Sequence, residues 1–79
     1  MTSKELLSAL RAQPFMPFRL HFGSGRSVEV QHPEFVSVSP SGRTAVVYTS
    51  TSMDGDEFQV VDVLLVESIE ILPRKRGAA

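Results

Sequence analysis

At 79 residues the chain has room for one domain with a small core, since chains of this size bury only about 60 to 65 per cent of their unfolded surface. It has no cysteine, which excludes disulfides and thiolate metal sites and fits a reducing cytoplasm. The formal net charge is −1, but Arg74, Lys75 and Arg76 carry three of the eight positive charges; residues 1–73 set five Lys and Arg against nine Asp and Glu, which disfavours that part as a general nucleic-acid surface.

Thr2-Ser3-Lys4-Glu5 matches a capping box, in which the Thr2 hydroxyl accepts from the Glu5 amide and the Glu5 side chain reaches back to the Thr2 amide. A helix is predicted from there. Leu6, Leu7 and Leu10 share one face, and Pro14 disfavours helical geometry at Gln13, so the helix should end near Ala12 or Gln13. So short a helix is unstable alone and must pack its apolar stripe on something. The same apolar cluster is too short and interrupted for a signal peptide or a membrane span, so a soluble, cytoplasmic protein is expected.

Phe18, Leu20 and Phe22 alternate with Arg19 and His21, the period of a strand with one buried face. Val28 and Val30 repeat the pattern, and residues 23–26 supply two glycines for a tight hairpin. Pro33 interrupts the ladder. A third strand is predicted at 35–39, then a turn at Pro40-Ser41-Gly42-Arg43, then a β-branched fourth strand at 44–48 whose weak alternation suggests cover on both faces. Residues 49–57 read as a polar hairpin loop. From Phe58 to Val66 the chain is almost continuously apolar, and Asp62 is placed to cap one helical turn at 62–65 before a last strand, since an unbroken strand to Leu72 would exceed usual lengths. Pro73 ends the predicted domain at residues 1–73, and 74–79 are expected to be a disordered basic tail. The fold class is mainly β with one N-terminal helix (α+β): a small bent antiparallel sheet or barrel of about five strands.

The order of a short helix, a bent four-strand meander, a one-turn helix and a final strand resembles the small SH3-like barrels of the Sm and Hfq group. The phrases Pro-Phe-Arg-Leu-His-Phe, Gly-Arg-Ser-Val-Glu-Val, His-Pro-Glu-Phe-Val-Ser-Val-Ser-Pro-Ser-Gly-Arg-Thr and Val-Val-Asp-Val-Leu-Leu-Val-Glu-Ser-Ile-Glu are similar to those of a family of short bacterial proteins labelled uncharacterised, over about residues 14–72. The Sm-like resemblance implies ring assembly and RNA contact. The chain has no counterpart of the loop motifs that stack and hydrogen-bond a base in that group, and Asp54, Asp56 and Glu57 make the longest loop acidic. The resemblance therefore implies architecture and not ligand.

No constellation for catalysis stands out, and the chain is read as no enzyme. There is no Cys, no Gly-x-Ser-x-Gly elbow and no convergent Ser-His-acid set. Glu67 and Glu70 are read as a solvent-facing edge. His21 and His32, with Glu34, Asp54 and Asp56, do not have a metal-ligand spacing, and Arg19 on the face of His21 would repel a cation; His32 before Pro33 is read as fixing the corner, its ring nitrogen meeting a backbone carbonyl. Asp54-Gly55-Asp56-Glu57 lacks the acidic residue of a calcium loop, whose place is taken by Leu65. Gly23-Ser24-Gly25 joins two strands and opens no helix, so it is a turn and not a phosphate cradle. No cofactor or metal is expected.

Two surfaces remain. Residues 60–66, Val-Val-Asp-Val-Leu-Leu-Val, are more apolar than so small a domain easily hides, and Val61, Val63, Leu64 and Leu65 are the candidate interface. The expected function is a non-enzymatic interaction module, self-associating as a homo-oligomer or docking a protein partner through this region and an edge strand. The alternative is a small RNA-binding barrel using Arg19, Arg26, Arg43, Arg74, Lys75 and Arg76 on phosphates, with Phe35 or Tyr48 as stacking surfaces. A third reading is a small-molecule pocket in a barrel mouth.

Overall fold

The computed structural model describes residues 1–49 and 57–73; most of the predicted polar loop and the whole basic tail lie outside them. The chain is mainly β with one N-terminal helix and two antiparallel sheets of three strands. In chain order these are helix α1 (Ser3–Leu10), β1 (Phe18–Phe22), β2 (Ser27–Val30), β3 (Val36–Val38), β4 (Thr44–Tyr48), β5 (Phe58–Asp62) and β6 (Val66–Ile71). Single 3₁₀ turns at Pro33–Phe35 and Val63–Leu65 lead into β3 and β6. One sheet has the order β2-β1-β6 and the other β3-β4-β5.

The capping box forms as its sequence requires: the Glu5 amide donates to Thr2 Oγ1 and the Thr2 amide donates to Glu5 Oε1. The helix stops at Leu10, two or three residues short of the prediction, with Arg11 as its cap. Leu6 is its one fully buried side chain, and Ala9 and Leu10 pack at the margin of the core. Two further contacts hold the start of the helix: the Met1 ammonium donates to the Val66 carbonyl at 3.1 Å, and Ser3 lies against the turn that precedes β4.

Both sheets turn one face inward. Phe18 and Leu20 of β1, Val28 and Val30 of β2, Ala45 and Val47 of β4, and Val61 of β5 meet Leu6, Val63 and Val66 in a single apolar core. The prediction that β4 is covered on both faces is not what the strand does. Ala45 and Val47 are buried, but Thr44 and Tyr48 face outward and are exposed; the β-branched run reflects strand propensity and not two-sided burial. Among the described residues there are six short strands, where about five are expected from the sequence. Phe35 belongs to the turn opened by Pro33, because proline cannot donate to a ladder, and pairing resumes only at Val36.

Alternation along β6 is also broken. Leu20 faces Ile69 and His21 faces Ser68, yet Phe22 faces Val66, so Glu67 is an extra residue in that strand. The bulge lets Val66 and Ile69, three positions apart, both turn toward the core. The two turn glycines differ in their surroundings. Gly25 (φ +94°) has open space where a Cβ would stand, whereas at Gly42 (φ +77°) a Cβ would collide with Ser3 Oγ and come within 2.7 Å of Ser3 Cβ.

Gly25→Ala should therefore cost only the backbone term, about 1–2 kcal/mol, and Gly42→Ala more, because the helix start must also move. Denaturant melts of both, and of Gly42→Ala with Ser3→Gly, check this: the second change should recover the difference between the two single variants and no more.

Candidate functional site

The phase of the β4–β5 ladder decides which backbone groups of β5 are free. Just beyond the strand ends the Thr49 amide donates to the Glu57 carbonyl (3.0 Å) and the Val63 amide to the Arg43 carbonyl (2.8 Å). These pairs continue the register in which Val47 faces Gln59 and Ala45 faces Val61. Hydrogen-bonded and non-bonded pairs alternate along an antiparallel ladder. Gln59 and Val61 thus point their amides and carbonyls at β4, and Phe58, Val60 and Asp62 point theirs away. β5 is the end strand of its sheet, so these groups form an open edge with no backbone partner among the described residues.

The side chains around that edge are unusually apolar. Phe58 and Val60 are 54% and 61% exposed on the outer face, and Leu64 and Leu65 are 54% and 66% exposed on the following 3₁₀ turn. Tyr48, directly across from Phe58, extends the patch with ring centroids 5.9 Å apart. Beside the edge runs an open groove of about 560 Å³, within the size range of ordinary binding sites. Phe22, Ser24 and Arg26 of the β1–β2 hairpin form one wall; Val60, Asp62 and Leu65 form the other. Arg26 is held in place twice, with Nη2 donating to Gln59 Oε1 and Cζ standing 5.5 Å from the centroid of the Phe22 ring. Among the described residues it has no ion pair. Asp62 Oδ1 accepts from the Leu64 amide at 2.9 Å and so caps the turn while the carboxylate keeps its charge.

The outer face of the other sheet carries a polar network. Arg19 donates to Glu29 (2.7 Å) on one side and to Glu70 (3.1 Å) on the other, and His21 Nε2 meets the same Glu70 oxygen at 2.8 Å. The register dictates this, since Arg19 faces Glu29 in β2 and Glu70 in β6. The hydrogen bond from His21, supported by the Arg19 charge, holds the Glu70 carboxyl below its ordinary value. The Arg19 hydrogen bond does the same for Glu29, and Thr2 for Glu5.

Against this map the candidate interface divides in two. Val61 and Val63 are buried in the chain's own core, while Leu64 and Leu65 stand out from it. Among the candidate phosphate contacts, Arg19 is occupied by two carboxylates, Arg26 lines the groove, and Arg43 lies exposed just before β4, far in sequence from either. Arg74, Lys75 and Arg76 lie outside the described residues, as do Asp54 and Asp56. His32 makes no side-chain cap of the Pro33–Phe35 turn; its ring stands T-shaped to that of Phe35, with centroids 5.1 Å apart. Among the described residues no three His, Asp or Glu side chains are placed to share a metal ion, and no helix is long and apolar enough to cross a membrane. The sequence did not reveal the far wall of the groove, Phe22 and Ser24, because only the fold brings the first hairpin beside β5. The chain matches no family model, no curated protein and no solved structure.

The three depressed carboxyls set the acid limb of stability. Each is ionised in the folded chain at a pH where the unfolded chain has begun to protonate, so their contribution is present above the ordinary value of 4.5 and is lost as pH falls below it through the folded values. The melting temperature should drop as pH falls below about 4.5, and Glu70→Gln should flatten that drop in a pH series of thermal melts.

Proposed function

We propose that this chain is a non-enzymatic protein-interaction module that docks its partner along the β5 edge and the apolar turn after it. The observation that carries this reading is the coincidence, in one place, of backbone groups at Phe58, Val60 and Asp62 that have no partner among the described residues with the exposed side chains of Val60, Leu64 and Leu65. An open edge offers main-chain hydrogen bonds, and an adjoining apolar patch supplies the desolvation energy that makes such pairing specific. We further read the two sheets as halves of one small SH3-like barrel, with β2 and β3 as a single strand bent at Pro33. We place the module in the cytoplasm, where a cysteine-free chain has nothing to lose from reducing conditions.

The alternative of an RNA-binding barrel draws on Arg19, Arg26 and Arg43. Arg19 is the weakest of the three for that role, because a phosphate would have to displace both Glu29 and Glu70, whose negative charges border the same face. This favours the protein reading.

Leu64→Asp and Leu65→Asp should leave the circular dichroism and melting temperature close to those of the parent, since both side chains are exposed, and should abolish association. Light scattering on a sizing column at low and high salt, with absorbance at 260 and 280 nm, reports self-association and bound nucleic acid. A photo-crosslinking residue at position 65, with one at position 29 as control, reports foreign protein partners in cells. Salt-insensitive protein association lost in both Asp variants supports the reading. Nucleic acid that co-elutes at low salt and leaves at high salt, or no protein association by either measurement, overturns it.

A further inference from the structure

Resting on that docking reading, we infer that the occupant of the β5 edge is an extended peptide segment of another protein that carries an acidic side chain, and that Arg26 is the residue that selects it. Three features of the groove converge on this chemistry. The first is the edge itself. Phe58, Val60 and Asp62 present amides and carbonyls at alternate positions, the spacing that an added antiparallel strand satisfies. The groove lies beside that edge and the β1–β2 hairpin forms its other wall, so a strand added to β5 would lie between the two.

The second feature is the lining. Phe22, Val60 and Leu65 are apolar and receive the apolar side chains of a strand whose residues alternate in direction. The third is charge. Arg26 is the cation of the groove, it has no carboxylate partner among the described residues, and it is already fixed by the Phe22 ring and the Gln59 amide oxygen. A guanidinium has five donors, of which Gln59 takes one, so a paired presentation to a carboxylate remains open. The contacts already made to Phe22 and Gln59 reduce the rotamer freedom left to lose when the acid arrives. Asp62, on the opposite wall, keeps its negative charge while one oxygen caps the turn at the Leu64 amide, so the preference for an acid is confined to the Arg26 wall of the groove. Arg19, the other cation of the first hairpin, shows the contrast: it is saturated by two glutamates within the chain.

The test uses the full chain and an array of acetylated eight-residue peptides that alternate an apolar residue with serine and carry glutamate, glutamine or lysine at one position. Binding is read by fluorescence polarisation, and the site by amide chemical shifts and hydrogen exchange at Phe58, Val60 and Asp62. Glutamate peptides should bind best and protect those amides. Arg26→Gln should lower that affinity about tenfold, the loss of a charge-assisted contact, and weaken the glutamine peptides by much less. Arg26→Glu should shift the preference to the lysine series. Peptides N-methylated at alternate amides should not bind. Equal binding of the three series along β5, or β5 amides already protected by a second copy of the chain, overturns the inference and leaves the docking reading standing. No peptide binding, together with no protein crosslink from position 65, overturns both.

Discussion

Both sheets depend on the 3₁₀ turn at Val63–Leu65. With three residues per turn, its side chains project about 120° apart, so a single turn laid on a core buries one of them and exposes the others. Val63 is the one buried, and its amide extends the β4–β5 ladder through the Arg43 carbonyl. Leu64 and Leu65 are left outside by geometry and not by composition. The same turn redirects the chain from the end of one sheet to the first residue of β6 in the other, so a fully buried core side chain and two exposed leucines are consecutive residues.

The polar network on the outer face of the first sheet works in the opposite sense. Arg19 and Glu29, and Arg19 and Glu70, are cross-strand neighbours on a solvated face, where a single ion pair contributes little. Linked across all three strands they specify register: a slip by one residue would place these charges in the core and Phe18 and Leu20 in water. The network also removes Arg19 from the surface available to ligands. The first hairpin thus has two arginines with different fates, one bound within the sheet and one turned to the groove.

Much of this was legible in the residues. The capping box, the left-handed glycine of the first hairpin at Gly25 (Gly23, expected to match it, has no positive φ), the interruption at Pro33 and the Asp62-capped turn each have a local physical cause, and local causes can be read from neighbouring residues. Two elements could not be read that way. The bulge at Glu67 exists because β6 must satisfy β1 and the core at once, and nothing in Val-Glu-Ser-Ile by itself sets that phase. The β-branched run of β4 suits a strand with either one or two covered faces, and the number of layers is a property of the whole fold. The candidate surface was located at residues 60–66, but its division into Val61 and Val63 inside and Leu64 and Leu65 outside required the turn. The wall across from it, Phe22 and Ser24, is remote in sequence and became visible only when the hairpin was placed beside β5.

The pairing of Tyr48 with Phe58 has an optical consequence. The chain contains no tryptophan and a single tyrosine, and that tyrosine stands on the outer face of the sheet, across from a residue of the open edge. The protein's tyrosine emission therefore originates one strand away from where a partner would sit. Water is in contact with the ring as it stands, at 44% exposure, and a chain laid over Phe58 would change its surroundings first. The molecule is built as its own spectroscopic gauge of whether the β5 edge is occupied.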